Sequence, residues 1–292
     1  MWPYRWAPFS LVIVLAATTE TACRGSTPML TGLLESRRLA AEMHVAFTKA
    51  AEASSRAVMA TSDEDSTTAA DEAKQARQDA ERSLAALQPV LESLGYQTDV
   101  VHVTAFKASF DEYRRLDDEI LALAVENSNV KAQRIAFGPS RETAQAFGTA
   151  LEAAIRDGAK DRCRAEALAS RAQVAVLRIE VLQPPHIADA EDAVMTRLEG
   201  EMRASEAVAR KSLEELRTAT GLTAGRHLGE ATAALEAFVA RNREIVTLSR
   251  RNSNVRSLAL SLGRKRAVTA QCEDHLRALD QALEEHRFNA TR

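Results

Sequence analysis

Asn127-Ser128-Asn129-Val130-Lys131 and Asn252-Ser253-Asn254-Val255-Arg256 are two near-identical pentapeptides, 125 residues apart, in a chain of 292 residues. They are the clearest trace of an internal repeat, and much of the chain falls into register around them. At the same spacing Glu119-Ile120 meets Glu244-Ile245, and Gly138 meets Gly263. Upstream the spacing is about 129 residues: Leu39-Ala40 and Val45-Ala46 recur as Leu168-Ala169 and Val174-Ala175. Ser83-Leu84 and Leu87 likewise recur as Ser212-Leu213 and Leu216. One deletion of about four residues between Val90 and His102 reconciles the two spacings. Matches in the same order with one small gap mark a duplicated unit.

Composition says what kind of unit it is. Apolar residues make up 46% of the chain but aromatics only 4%, so small and aliphatic side chains must form most of the core. Alanine, leucine, glutamate and arginine are strong helix formers, and such a mixture argues against sheets. The formal net charge is −3 with both signs interspersed. No single-signed field marks a nucleic-acid or polybasic membrane partner.

Within the first unit the apolar seam recurs every three or four residues, the spacing of a bundle helix. One seam runs Leu33, Ser36, Ala40, Met43, Phe47, Ala50, Ser54, Ala57. The next runs Ala73, Ala76, Ala80, Leu84, Leu87, Leu91, Leu94, and a third Phe106, Phe110, Tyr113, Leu116, Ile120, Leu123. Polar clusters at 61–66, 95–98 and 127–129 separate the helices. Helices of about 30 residues are about 45 Å long, and short turns between them make neighbours antiparallel. In the fourth helix Gly138-Pro139 predicts a kink or fresh start; alternatively the third helix runs on to Phe137 and the fourth begins at Pro139. In the second unit Pro184-Pro185 predicts an early end to the first helix. The fold expected is all-α: two tandem antiparallel up-down-up-down four-helix bundles, residues 31–158 and 159–290, stacked end to end.

The N-terminus has the pattern of an export signal, residues 1–23, ahead of a short tether, residues 24–30. Arg5 precedes the apolar run 11–17, which is too short to span a bilayer of about 30 Å. Thr21-Ala22-Cys23 resembles a bacterial lipobox, although Glu20 stands where an aliphatic residue is expected. The expectation is a periplasmic lipoprotein anchored through Cys23, with ordinary signal cleavage as the alternative. Of the remaining cysteines, Cys163 and Cys272, sequence alone leaves pairing open.

Two stretches resemble the first hairpin of the four-helix-bundle ligand-binding domains of methyl-accepting chemotaxis proteins: 52–65, from Glu52 to Asp65, and 188–195, from Ala188 to Met195. Ile120-Leu-Ala-Leu-Ala124, leading into Asn127, resembles the turn between that family's third and fourth helices. The resemblance implies a periplasmic sensory module, recognising small molecules directly or through binding proteins, and dimerising through its first helix. Up to Arg292 there is no second apolar span or signalling coil, so the module is expected to act through a partner. A helical spacer of the cell envelope is the alternative function. Partners expected are a small-molecule ligand, a membrane receptor or envelope protein, the membrane itself through the lipid anchor, and a second copy of the chain.

Several side-chain groups carry potential chemistry. Asn127, Ser128, Asn129 and Asn252, Ser253, Asn254 suit helix capping first and a polar ligand contact second. Arg37, Arg38 and Arg56 on the first helix are candidates for an anionic ligand, against the plainer reading of solvated surface arginines. The acidic turns 63–65 and 189–192 favour helix dipoles; His186 beside the second makes a metal conceivable. Cys272 and His275 share a helix face, but two ligands do not make a zinc site. No phosphate loop, nucleophile elbow or Ser-His-Asp pattern is present, so the expectation is a non-enzyme with no cofactor and no metal.

Overall fold

A computed structural model describes residues 26–158, 161–220 and 224–289 of the chain. Its helices are α1 (Ser26–Met59), α2 (Asp63–Leu94), α3 (Gln97–Glu126), α4 (Ser128–Ile135), α5 (Arg141–Gly158), α6 (Arg162–Ala188), α7 (Asp192–Ala219), α8 (Gly225–Arg251), α9 (Ser253–Leu260) and α10 (Arg266–Asn289). Two single π-helical turns, π1 (Ala136–Ser140) and π2 (Ser261–Lys265), join α4 to α5 and α9 to α10. No strand occurs among the described residues, and the fold is all-α. The export signal and Cys23 lie outside the described residues. α1 begins at Ser26, so residues 26–30 of the expected tether belong to the helix; Pro28 in its first turn has no N–H to lose there.

Local chemistry sets the helix ends. The Ser62 hydroxyl accepts from Asp65 N at 3.0 Å, and Asp63, Glu64 and Asp65 fill the positive first turn of α2. α2 stops at Gly95, which takes φ +70°, while Gly95 N donates to Glu92 O and Tyr96 N to Leu91 O, both at 3.1 Å. A side chain at that left-handed position would be strained, so glycine suits this stop. All eight residues of the first seam are buried, from Leu33 to Ala57. So are Ala73 to Leu91 of the second and Phe106 to Ile120 of the third; Leu94 and Leu123 are half-buried.

The fourth helical segment of each repeat does not return to its own three helices. The rod α4–π1–α5 leaves α3 and packs against α8 and α6, while α9–π2–α10 packs against α3 and α1. One core therefore combines Phe47, Leu87 and Phe110 with Cys272, Leu276, Leu279 and Leu283 from the far end of the chain. The other combines Phe147, Leu151 and Ala154 with Ala172, Leu213, Leu235 and Phe238. The expected boundary at residue 158 thus divides sequence repeats and not packed bundles. Each bundle is three helices of one repeat closed by the rod of the other. The reason is visible at Asn127 and Asn252, each a single left-handed residue (φ 51° and 52°) between two helices. One residue interrupts the helix without supplying the two to five that a helical hairpin uses to reverse.

At the crossing the two repeated tripeptides cap each other. Ser128 N donates to Ser253 Oγ at 2.9 Å and Ser253 N to Ser128 Oγ at 3.0 Å. Asn129 N donates to Asn254 Oδ1 at 3.1 Å and Asn254 N to Asn129 Oδ1 at 3.2 Å. These reciprocal bonds form a local twofold and satisfy N–H groups that each new helix leaves free. Asn127 Nδ2 also donates to Ser62 O, and Asn252 Nδ2 to Asp189 O, tying the crossing to both hairpin turns.

At Gly138-Pro139, where a kink or fresh start is expected, the α-helix gives way to the π turn Ala136–Ser140, which accommodates the missing N–H, and α5 begins at Arg141. The early end expected at Pro184-Pro185 needs correction: α6 runs through both to Ala188, and both rings are exposed, so water can reach the carbonyls they leave unpaired. Ser128 and Ser253 are fully buried, so each hydroxyl serves an N–H that solvent cannot reach. Ser128→Ala and Ser253→Ala should each lower stability by about 1–2 kcal/mol in urea unfolding. Unchanged midpoints for both would refute the trans-cap reading.

Candidate functional site

The seam of the first bundle is interrupted halfway along by a buried charged layer. Asp117 on α3 is fully buried, and its Oδ1 accepts from Lys265 Nζ at 2.6 Å and from Ser54 Oγ at 2.5 Å. Lys265, at the end of π2, also donates to Ser54 Oγ and stands 5.1 Å from the Tyr113 ring centroid. Arg77 on α2 approaches Asp117 Oδ2 at 3.3 Å, bonds Asp118 at 2.6 Å and donates to Arg114 O at 3.1 Å. Burial pushes the Lys265 pKa down, an effect that the Asp117 carboxylate opposes. Burial pushes the Tyr113 phenol well up, and Asp117 adds to that.

Applying the repeat spacing, Ser54, Arg77, Asp117 and Lys265 fall on Gln183, Glu206, Asn242 and Ser140. These four occupy the corresponding level of the second bundle with a neutral centre. Gln183 Nε2 donates to Asn242 Oδ1 at 3.0 Å and to Ser140 Oγ at 3.3 Å. Even the flanking ion pair is inverted: Arg77–Asp118 in the first bundle corresponds to Glu206–Arg243 in the second, at 3.8 Å.

Nearer the crossing, the second bundle holds a further buried cluster. His186 contacts Ser249 Oγ through Nδ1 at 2.8 Å and Glu199 Oε1 through Nε2 at 3.0 Å. Arg250 donates to the same Glu199 oxygen at 2.6 Å. Hydrogen bonding to Arg250, reinforced by His186, pulls the Glu199 pKa below the usual carboxylate range. His186 is thus consumed by a core network, and among the described residues no group of three or more His, Cys, Asp or Glu is placed to hold a metal ion.

Of the three candidate arginines, only Arg37 lines a groove, between α1 and α10, and its NH2 donates to Leu283 O at 2.7 Å. Arg38 is held by Glu35 and Glu42 on its own helix, and Arg56 by Glu72 on α2. The structure does not bring the three together. Asn127, Ser128, Asn129 and their counterparts meet each other at the crossing, in the capping role. Cys163 is exposed at the start of α6 and Cys272 is buried in the opposite bundle; both are free thiols. Burial raises the Cys272 pKa to about 12, so it is an inert core thiol.

A groove of about 680 Å³ lies between α5 and α6. Its apolar walls include Phe137, Phe147, Val176, Leu177 and Val181, with Arg141 and Glu180 among its polar lining. Arg141 lies 5.5 Å over the Phe137 ring, and burial raises the Glu180 pKa against the pull of Arg141. The corresponding α1–α10 groove of the first bundle holds two openings, one of about 340 Å³ bounded by Ala51, Ser55, Leu262, Arg266 and Glu273, and one of about 770 Å³ lined by Arg37, His44, Val45, Thr48 and Asp280. At the positions of Leu177, Val181 and Pro184 the first repeat has Thr48, Glu52 and Ser55. The fold therefore does not require apolar residues there, yet Leu177 and Val181 are 55% and 72% exposed.

Comparison with protein-family models finds no match for this chain, and comparison with curated protein sequences finds no significant one. Among the described residues no helix is long and apolar enough to cross a membrane.

Because the Glu199 pKa is depressed in the folded state, the stability it contributes is present above the ordinary carboxylate range and is lost as pH falls through its folded value. Glu199→Gln should therefore flatten the decline of unfolding free energy between about pH 5 and pH 3 relative to the parent chain. An equally steep decline in the variant would show that Glu199 is not coupled to folding.

Proposed function

We propose that this chain is a non-catalytic ligand-binding module of a sensory kind, exported, tethered through Cys23 and acting through a partner protein. The observation that carries the reading is the α5–α6 groove. Apolar side chains that the repeat shows to be dispensable for folding are left in solvent along it, and such surface usually has something to cover it. Predominantly apolar walls with a few polar groups are the usual make-up of a small-molecule site. Arg141 supplies a guanidinium for a carboxylate head, and Phe137 and Leu177 a surface for an apolar body. The ligand class is thus a small amphiphilic carboxylate. The tether and the export signal rest on the sequence pattern at 1–23, and the sensory role on the resemblance of the two hairpins to chemoreceptor sensor domains.

An envelope spacer is the second reading, favoured by the exchange of rods, which cross-braces the two bundles. That reading gives no reason for Leu177 and Val181 to stand exposed where the first repeat has Thr48 and Glu52.

Isothermal calorimetry with decanoate and benzoate as probes tests the proposal. Binding is expected, and Leu177→Thr/Val181→Glu, which installs the first repeat's residues, should abolish it while leaving the melting temperature of the free protein unchanged. Absence of heat with both probes, or binding that survives this double substitution, would remove the groove as the site.

A further inference from the structure

The two rods are alike in every respect that the backbone can read. Each starts at an Asn-Ser-Asn tripeptide, carries a π turn at the same repeat position and continues into a helix with an apolar face. The single-residue break keeps a rod from folding back on its own three helices, but helix geometry alone does not choose between the other repeat's rod and the like rod of a second chain. The same shape would fit the like rod of a second chain, with two copies of 127–129 meeting at the crossing. What differs is the buried layer. The α1–α3 scaffold offers a carboxylate at Asp117, and α9–α10 delivers Lys265 to it. The α6–α8 scaffold offers Gln183 and Asn242, and α4–α5 delivers Ser140. Like-with-like pairing would press Lys265 between two neutral amides. The carboxylate at that level, Glu206, already receives Arg210 at 2.8 Å and Arg243 at 3.8 Å. A buried ammonium without its carboxylate is strongly disfavoured.

We propose that these two layers form a pairing code. Lys265 directs α9–α10 to the first scaffold, and this unlike match closes the chain on itself where like rods would join it to a second copy. Lys265 and Ser140 are thus specificity-determining residues for self-closure, and the surface they guard is one that a second copy of this chain would otherwise fill.

Disulfide reporters read the pairing directly. His44 on α1 faces Asp280 on α10, Nδ1 to Oδ2 at 3.1 Å, and the residue equivalent to Asp280 on the other rod is Ile155. In a full-length background with Cys23, Cys163 and Cys272 replaced by alanine, His44→Cys/Asp280→Cys should crosslink within one chain, and His44→Cys/Ile155→Cys should not. Exchanging the rod residues (Lys265→Ser with Ser140→Lys) should cut the first crosslink at least about tenfold and bring up the second, between chains, on a non-reducing gel. Transplanting the scaffold layers as well (Ser54→Gln, Arg77→Glu, Asp117→Asn with Gln183→Ser, Glu206→Arg, Asn242→Asp) should restore the original crosslink. If the rod exchange alone prevents folding, its rescue by the added transplant supports the code. The proposal is overturned if the rod-exchanged chain keeps the original crosslink at parental yield, if it folds and loses that crosslink without gaining the other, or if the transplant does not rescue it.

Discussion

The reciprocal bonding of Ser128 with Ser253, and of Asn129 with Asn254, is the contact on which the architecture turns. A helix start needs acceptors for its first free N–H groups, and here each start finds them only in the other. That makes the two rods mutually dependent. Neither α4 nor α9 has a side-chain cap from its own Asn127 or Asn252, whose amides are turned to the neighbouring hairpins and to the opposite strand of the crossing. With the crossing fixed, each rod can only run outward along the bundle built by the other repeat. The two cores then follow from ordinary helix packing.

Away from the crossing, contacts between distant parts of the chain hold the exchanged rods along their length. At the π turn of the second rod Arg264 reaches Glu112 at 3.1 Å, near the surface and worth little by itself. At the far end of the first bundle His286 bonds the buried Asp99 at 2.8 Å and stacks on Tyr96 with ring centroids 3.7 Å apart. His227 bonds Asp157 at 3.0 Å at the far end of the second. Each rod is thus secured at its start, at its π turn and near its end.

How much of this was legible in the sequence depends on which question a helical period answers. The spacing of Leu33 through Ala57 says which face is covered, and that face is buried as read. It does not say which helix covers it, so the exchange of rods was invisible and the bundles were expected to follow chain order. Pro184-Pro185 points to an early helix end that, for a related reason, does not occur: the cost of a proline depends on whether the freed carbonyls can find water, a property of the folded surface. The charged layer did leave a trace. Lys265 precedes Cys272 by two helical turns on the apolar face, Asp117 sits between Tyr113 and Ile120, and Arg77 between Ala73 and Ala80. A charge on a seam is a signal, but only the alignment of both rods shows that the seam charges answer each other. Leu177 and Val181 carry no signal by themselves, because an exposed apolar residue acquires meaning only beside Thr48 and Glu52 of the other repeat.

The most direct test of this account is to insert a protease site between Gly158 and Asp161, cut the folded protein there, and determine the mass of the product under native conditions. Exchange of the rods means that each fragment supplies helices to both bundles, so the cut protein should remain a single species near the 31.8 kDa of the whole chain. Separation into two independently folded fragments would contradict the exchange and return each fourth helix to its own repeat.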